Sequence, residues 1–237
     1  MIAQSPSIDL NADLAEGFPN DARLLALVTS AAIACGAHAG DEASILSTLR
    51  LAKSQAVAIG AHPGFPDREG FGRIERRLKA GDVTQLILRQ FAFLKKLADP
   101  ENIPISFLKP HGALYNQAQR EPETAQGVIA AASALALPLL GQPGSLLQQL
   151  AKAASIKFIA EGFPERRYQP DGSLVPRSLP NAILSDPAEI DSQVVRLLRA
   201  GIATLCIHGD DPDALAKAEL VRLSLSRHGI VPHFWGP

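Results

Sequence analysis

The stretch that decides the fold is SIDLNADLAEG at residues 7–17, where a strand-like run passes directly into a polar segment. Successive side chains of a strand point to opposite faces, so the apolar residues of SIDLN share one face and Asp9 and Asn11 share the other. A charged side chain inside a buried strand costs free energy unless it is paired or functional. We therefore predict that Asp9, Asn11 and the nearby Asp13 line a polar site, whereas Glu16 fits that site and a solvated loop equally well.

Short β-type runs alternate with longer helical patterns along the whole chain. The runs are Ser7–Asn11, Ala31–Cys35, Val57–His62, Ile105–Lys109, Pro138–Gly141, Ile156–Glu161 and Ala203–His208. This alternation indicates a parallel sheet with right-handed crossovers. An open dinucleotide-binding sheet would show G-x-G-x-x-G after its first strand, and this chain does not. Because polar residues follow nearly every run, we predict one α/β domain over residues 1–237, a single (β/α) barrel of about seven units.

Aspartates mark the predicted starts of several helices. Asp41 precedes apolar residues at helical spacing and is a favourable N-cap, and Asp82 starts a second such pattern. Asp186 and Asp211 are each followed by proline, which is the favoured first residue of a helix. We expect the last two long helices to begin at these aspartates.

The composition excludes several classes of protein. The 237 residues carry 23 basic and 24 acidic side chains, so there is no excess of positive charge to neutralise the phosphates of nucleic acid. No apolar stretch approaches the roughly 20 residues of a membrane helix, so no membrane partner is expected. The first residues lack the features of a secretory leader, and Cys35 and Cys206 do not suggest a disulfide framework. We therefore expect a cytoplasmic protein with both cysteines reduced.

Four of the six histidines stand at the ends of predicted strands, each near glycine or proline. They are His38 in CGAH, His62 in GAHPG, His111 in KPHG and His208 in CIHGD. A lone histidine is more often a structural residue bonded to a backbone carbonyl, but four at one barrel mouth favour a functional site. Asp210, which follows the last of them, is assigned to the same site.

Further charged side chains near the predicted mouth are candidates for binding substrate. Lys109 ends the fourth run and shares a strand face with His111 if the strand continues that far; a cation there suits a carboxylate or a developing oxyanion. Glu161 ends the sixth run, and Arg166 and Arg177 follow it in a charged loop. We expect these three residues to contact the substrate, although a solvated rim would have the same composition.

A divalent metal is a further possibility that the residues leave open. Asp13, His38 and His62 come from the first three strand ends, and one carboxylate with two imidazoles is a competent ligand set for an ion that activates water. The chain has neither H-E-x-x-H nor H-x-x-x-H, so the spacing adds no support. Without a metal, the same groups supply general acid–base chemistry near neutral pH.

Six segments in order from Asp9 to Asp210 carry most of these residues: DLNADLAEG, ACGAHAGD, GAHPGFPDREGFGR, KPHGALYN, YQPDGSLVPR and CIHGD. Together they resemble the LamB/YcsF family over nearly the whole chain. The resemblance implies a glycoside hydrolase/deacetylase-like (β/α) barrel. It also implies ATP-dependent opening of the lactam 5-oxoproline (pyroglutamate) to glutamate, with 5-oxoprolinase subunits B and C as partners.

The resemblance suggests a division of labour between subunits. The chain has no G-x-x-x-x-G-K-[ST] loop, so we expect partner subunits to help activate the lactam with ATP while this barrel directs water onto the carbonyl carbon. In that scheme the base is Asp13 or His38, the proton donor is His62 or His208, and Lys109 is the oxyanion partner. An arginine of the charged loop would hold the substrate carboxylate.

The chain departs from the residues usual in this family while keeping the candidate groups named above. Alanine replaces the usual glycine at position 15 and glutamate the usual aspartate at position 165; the substituted positions are Ala12, Ala15, Ala32, Ala37, Gly64 and Glu165, and the segment between Arg177 and Cys206 is shorter than usual. Two other functions stay open at this point. One is a stand-alone metal-dependent amidohydrolase or deacetylase, and the other is a non-catalytic scaffold within a larger complex.

Overall fold

Parallel strands close into a barrel in the computed structural model, which describes residues 7–177 and 179–236. The first seven strands follow one another around the barrel in chain order, and β1 pairs with both β2 and β7. The strands are β1 (Ser7–Leu14), β2 (Ser30–Ala34), β3 (Ala58–His62), β4 (Ile105–Leu108), β5 (Leu139–Gly141), β6 (Phe158–Gly162), β7 (Thr204–His208) and β8 (Val231–Pro232). The predicted (β/α) barrel is confirmed, and the short β8, which the sequence did not predict, pairs with the start of β1.

Helices connect the strands and cover the barrel. They are α1 (Asp21–Leu25), α2 (Glu42–Ser54), α3 (Ala80–Ala98), α4 (Gly112–Ala118), α5 (Pro122–Leu135), α6 (Leu146–Ala153), α7 (Pro187–Arg199) and α8 (Ala214–Arg227). Among residues 7–177 and 179–236, none of these helices combines the length and apolarity that a membrane crossing requires.

Strand β1 contributes to two layers of the fold. Its apolar residues Ile8, Leu10 and Leu14 belong to the main hydrophobic cluster, together with helix residues such as Leu49 of α2 and Val221 of α8. Asp9, Asn11 and Asp13, which alternate with them, bond instead to polar side chains of other segments inside the barrel. The alternation predicted from SIDLN therefore separates an apolar outer layer from a polar interior.

Part of the barrel interior is filled by a separate apolar cluster, which we call the floor cluster. Its members are Ala32, Phe107, Leu140 and Ile159, with Phe234 and Trp235 packed against them. The rings of Phe234 and Trp235 lie 6.3 and 6.0 Å from that of Phe107. The residue before them, His233, donates its backbone N–H to the carbonyl of Ile8, so this C-terminal segment lies beside the amino-terminal end of β1.

Two of the predicted helix starts are confirmed. The Asp41 carboxylate accepts a hydrogen bond from the N–H of Ser44, 2.8 Å away, at the start of α2. The Asp186 carboxylate accepts from the N–H groups of Ala188 and Glu189 at the start of α7. Each aspartate satisfies donors that the first turn of a helix leaves unpaired.

The predicted starts at Asp82 and Asp211 are wrong by a few residues. Helix α3 already begins at Ala80, whose N–H donates to a carboxylate of α5. Helix α8 begins only at Ala214. The Asp211 carboxylate is engaged with the ammonium of Lys217, 2.5 Å away, and that ion pair replaces the expected N-cap.

Candidate active site

A cavity of about 880 Å³ opens at the carboxyl ends of the strands. The predicted site residues that line it are Asp13, His62, Lys109, His111, Arg166, Arg177, His208 and Asp210. Its volume lies within the range of small-molecule sites, and its lining combines cations, carboxylates and imidazoles. The structure thus brings together most of the residues expected at the mouth.

Asp9 lies deeper in the barrel than predicted. It is not one of the described residues that line the cavity. Strand β1 continues to Leu14, so the end of the strand lies well beyond Asp9. The Asp9 carboxylate accepts hydrogen bonds from the hydroxyls of Thr29, Ser30 and Thr204, at 2.6, 2.9 and 2.5 Å. Burial outweighs these bonds and raises the pKa of Asp9. The expectation that Asp9 lines the mouth is therefore corrected: its carboxylate joins β1 to its neighbours inside the barrel.

Lys109 forms the floor of the cavity. Its ammonium lies 2.6 Å from Asp13 Oδ1, 2.8 Å from Glu161 Oε1, 3.0 Å from Asn11 Oδ1 and 3.0 Å from Cys206 Sγ. Burial alone would lower the pKa of Lys109, but the carboxylate of Asp13 and its acidic neighbours outweigh burial and raise it, so the side chain is a fixed cation. Burial would raise the pKa of the Asp13 carboxyl, but His62, 3.4 Å away, and the ammonium of Lys109 outweigh burial and hold that pKa well below its usual range.

Asn11 and Glu161 contact the ammonium of Lys109 from beneath the cavity. Neither of them is among the described residues that line the cavity itself. Asn11 Nδ2 donates to Glu161 Oε1 at 3.2 Å and to the Thr204 hydroxyl at 2.8 Å. Glu161 is 1% exposed, so the expectation that it contacts substrate does not fit its position. Both residues instead fix the ammonium of Lys109 beneath the cavity.

His111 lines the cavity from a different structural element than the sequence predicts. Strand β4 ends at Leu108, so the shared strand face expected for Lys109 and His111 does not exist. His111 is instead the residue before helix α4. Its Nε2 lies 2.8 Å from the carbonyl oxygen of Phe71, which fixes the ring from the loop after β3.

Four buried side chains from consecutive strand ends surround one point at the side of the cavity; we call Glu16, His38, His62 and His111 the histidine cluster. Glu16 Oε1 lies 3.1 Å from His38 Nε2, 3.1 Å from His111 Nδ1 and 3.7 Å from His62 Nε2. The rings of His38 and His111 stack with centroids 3.8 Å apart. His38 does not line the cavity among the described residues, because it lies behind this stack.

Charges in the histidine cluster follow from burial and mutual contact. Burial lowers the pKa of His38 to about 4, so its ring is neutral at pH 7. Burial would raise the pKa of Glu16, but hydrogen bonds with His111 and His38 outweigh it and lower the pKa to about 2. Glu16, which the sequence left undecided, is thus a buried carboxylate at the centre of the cluster.

Backbone conformation at Ala15 directs Glu16 into the barrel. Ala15 has a φ of 60°, in the left-handed region that favours glycine. Its N–H donates to the Asp21 carboxylate at 2.7 Å, which holds the turn. This conformation would suit the glycine that the family resemblance leads us to expect at this position, and here an alanine adopts it.

A second carboxylate–histidine pair lies across the cavity. Glu165 Oε1 is 2.5 Å from His208 Nδ1, and Glu165 is fully buried. Burial raises the pKa of Glu165 to about 8, and burial together with the nearby Arg177 lowers the pKa of His208 well below its usual value. Both shifts favour an uncharged pair at neutral pH. The sequence identifies Glu165 only as a departure from the family. Its pairing with His208 could not be predicted, because that pairing depends on the adjacency of β6 and β7 in the barrel.

Arginines form the rim of the cavity around Asp210. Arg177 lies 3.2 Å and Arg73 lies 2.5 Å from Asp210 Oδ2. Arg166 lines the same cavity and donates to the carbonyl of Val175. Sequence reasoning missed Arg73, although it lies in the GFGR segment. Three arginines against one aspartate leave a local excess of positive charge at this part of the rim, which favours an anionic ligand.

Two groups of residues have the composition of a metal site. One is the histidine cluster, and the other consists of Asp13, Cys206 and His208. The set expected from the sequence, Asp13 with His38 and His62, is divided between these groups. Asp13 already pairs with the ammonium of Lys109.

Comparisons with known proteins agree with this architecture. The model of the LamB/YcsF family matches residues 8–233. The A subunit of 5-oxoprolinase from Methylococcus capsulatus is 43% identical over 94% of this chain and 94% of its own length. The crystal structure of the lactam utilization protein from Thermus thermophilus is 38% identical, covers 96% of this chain and 99% of its own, and superposes with a TM-score of 0.88.

A more distant likeness concerns the fold alone. The peptidoglycan deacetylase PdaC from Bacillus subtilis superposes with a TM-score of 0.52 at 12% identity, covering 97% of this chain and 88% of its own. The expected deacetylase-like barrel is confirmed by this likeness.

Proposed function

This chain belongs to the LamB/YcsF family, and we propose that it acts as the lactam-binding component of an ATP-dependent 5-oxoprolinase, which opens 5-oxoproline to glutamate. The observation that carries the proposal is the fixed cation of Lys109 at the floor of a cavity that also exposes Asp13 and His208. The relatives, named as the A subunit of 5-oxoprolinase and as a lactam utilization protein, support the choice of a lactam as substrate. Because those relatives are named as one subunit of an enzyme, their names also support partner subunits, for which we propose subunits B and C.

Hydrolysis of the ring adds water to the lactam carbonyl carbon, breaks the carbon–nitrogen bond and places a proton on the nitrogen. ATP, held with the help of the partner subunits, transfers its terminal phosphoryl group to the lactam oxygen and leaves as ADP, which makes the carbonyl carbon a better electrophile. Addition of water and cleavage of the carbon–nitrogen bond then give an acyl phosphate, and a second water hydrolyses it to glutamate and inorganic phosphate. In this chain, Lys109 stabilises the negative charge that develops on the carbonyl oxygen. Asp13, ionised because its pKa is low, orients the attacking water and accepts its proton.

His208 and Glu165 are suited to protonating the leaving nitrogen. At neutral pH Glu165 is protonated and donates to His208 Nδ1, which leaves the proton of the neutral imidazole on Nε2. As Nε2 gives this proton to the ring nitrogen, Nδ1 takes the proton of Glu165. In this proposal Arg177 and Arg166, which line the cavity, hold the substrate carboxylate.

The test compares glutamate formation from 5-oxoproline by the chain alone and with subunits B and C, each with and without ATP. We expect turnover only when the partners and ATP are both present. Robust turnover by the isolated chain without ATP would contradict the division of labour and favour a stand-alone amidohydrolase. Full activity of the complex with Asp13→Asn, in a variant shown by circular dichroism to be folded, would favour a non-catalytic scaffold.

A further inference from the structure

The histidine cluster brings nitrogens of three imidazole rings and one carboxylate oxygen together at a single buried point. His62 Nδ1 lies 2.7 Å from the carbonyl oxygen of Lys109, and His111 Nε2 lies 2.8 Å from that of Phe71. A carbonyl oxygen only accepts hydrogen bonds, so both of these outer nitrogens carry the ring proton. Metal ligation requires neutral rings, and in that form the inner nitrogens of His62 and His111 present lone pairs to the centre of the cluster.

These inner atoms converge on a third acceptor. His62 Nε2 and His111 Nδ1 are 3.1 Å apart, and the Glu16 carboxylate lies beside both. Within residues 7–177 and 179–236, every ion pair of Glu16 is with an imidazole, and no lysine or arginine neutralises it. Buried acceptors that face one another are costly unless a cation lies between them. The cluster is therefore built for a positive charge at its centre.

We propose that Glu16, His38, His62 and His111 bind one divalent first-row transition-metal ion of the zinc type. The ligand atoms are Glu16 Oε1, Nε2 of His38 and His62, and Nδ1 of His111, which all lie within 4.8 Å of one another. Bond lengths of 2.0–2.1 Å to zinc correspond to tetrahedral ligand–ligand distances of about 3.3 Å. The four separations from 3.1 to 3.7 Å given above surround that value.

The surroundings of the cluster match those of metal ligands. Metal-binding histidines usually donate their outer N–H to a carbonyl or carboxylate, as His62 and His111 do here. His38 is instead held by its stack on His111. Asp13 is not assigned to this site, because the ammonium of Lys109 already provides its cation at 2.6 Å.

Four protein ligands complete a tetrahedral shell, which is typical of a structural metal site. The ion would join the ends of four consecutive strands, β1 to β4, and so fix the side of the cavity from which Asp13 and Lys109 project. The proposal concerns this chain's own fold and stands whether or not the substrate is a lactam.

The test begins with untagged chain purified without chelator. Elemental analysis should give about one zinc-like ion per chain, and removal with a chelator should lower the Tm by at least about 5 °C. Adding zinc should restore the Tm. Cobalt in place of zinc should give the intense visible absorption of tetrahedral coordination, without a thiolate charge-transfer band, because Cys206 is not a ligand.

Variants separate this cluster from other sites. Glu16→Gln and His38→Ala should each weaken zinc binding by more than the roughly 10–100-fold effect of outer-shell changes. His228→Ala is the matched control, since His228 is well exposed and outside both metal groups, and it should bind zinc like the natural chain. His208→Ala should also retain the ion.

Several outcomes would overturn the proposal. One is a chain that contains no metal and gains no stability from zinc or cobalt. Another is a thiolate–cobalt band, or loss of the ion in His208→Ala but not in Glu16→Gln, which would assign the metal to Asp13, Cys206 and His208. The cobalt spectrum of the natural chain decides between the two groups even if a variant fails to fold.

Discussion

Lys109 Nζ lies 2.6 Å from Asp13 Oδ1 at the floor of the cavity, and both side chains are almost completely buried. A second carboxylate, Glu161, lies 2.8 Å from the same ammonium. The floor therefore holds one cation against two carboxylates, and the neutralising charge of Lys109 is as important for folding as for chemistry.

Replacing Lys109 by methionine should destabilise the chain strongly. The change keeps most of the apolar stem but removes the ammonium that Asp13 and Glu161 share, and removing one partner of a buried ion pair costs about 3–5 kcal/mol. Urea denaturation measures the free energy of unfolding. Lys152→Met on the exposed face of α6 is the control and should change stability by less than about 0.5 kcal/mol. A similarly small loss of stability in Lys109→Met would mean that the ammonium does not neutralise the carboxylates of Asp13 and Glu161.

Glu165 should make the chain less stable as the pH rises from about 6.5 to 8. Its pKa is raised to about 8 by burial, with a further rise from Asp211 and opposing effects of Arg177 and Lys217, so the folded chain keeps a proton that the unfolded chain has released. The stabilisation that this proton provides is complete below the pKa of Glu165 in the unfolded chain. It declines as the pH rises towards 8, by up to about 1.4 kcal/mol per pH unit.

The measurement compares the natural chain with Glu165→Gln, whose amide cannot ionise, by denaturation at pH 6.5 and pH 8. His208 is present in both proteins, so its own lowered pKa cancels in the difference. The stability difference between the two proteins should shift in favour of the glutamine variant at pH 8. Parallel behaviour at both pH values would show that Glu165 is already ionised.

Ala15→Gly should stabilise the chain. A non-glycine residue at φ 60° costs roughly 1–2 kcal/mol, while glycine loses about 0.4–1 kcal/mol through the entropy of the unfolded chain. The difference between these ranges is a net gain of about 0–1.6 kcal/mol, centred near about 0.8 kcal/mol, seen as a higher midpoint in urea with an unchanged slope. Ala43→Gly in helix α2 has a negative φ and should instead lower stability. A loss of stability at both positions would contradict the strain assigned to Ala15.

Arg177→Ala should raise the KM for 5-oxoproline in the assembled enzyme more than it lowers kcat. The guanidinium lies 3.2 Å from Asp210 at the rim, where a substrate carboxylate would compete for it. Loss of a charged hydrogen bond of about 1.5–3 kcal/mol corresponds to a rise in KM of about tenfold to a hundredfold. Arg199→Ala, on an exposed part of α7, should leave both constants unchanged. A fall in kcat with unchanged KM would place Arg177 in the chemical step instead.

The fold and most of the cavity lining could be predicted from the sequence because both depend on local signals. Strands alternate with helices, and histidines next to glycine or proline, such as His62 and His111, mark where strands end. Depth within the barrel could not be predicted, since the sequence does not show that β1 continues to Leu14 and leaves Asp9 below the mouth. The role of Glu16 depends on the left-handed turn at Ala15, and that of Glu165 on the adjacency of two distant strands.

The position of the C-terminal segment determines how late in synthesis the barrel can close. Phe234 and Trp235 complete the floor cluster, and the pairing of Asp9 with Thr204 joins residues 195 positions apart. While the chain emerges from the ribosome, β1 can pair with β2 early but must wait for nearly the whole chain before β7 and the closing aromatics arrive. The half-built barrel therefore exposes an open edge during synthesis, so folding helpers and fusion tags are best placed to leave the last residues free.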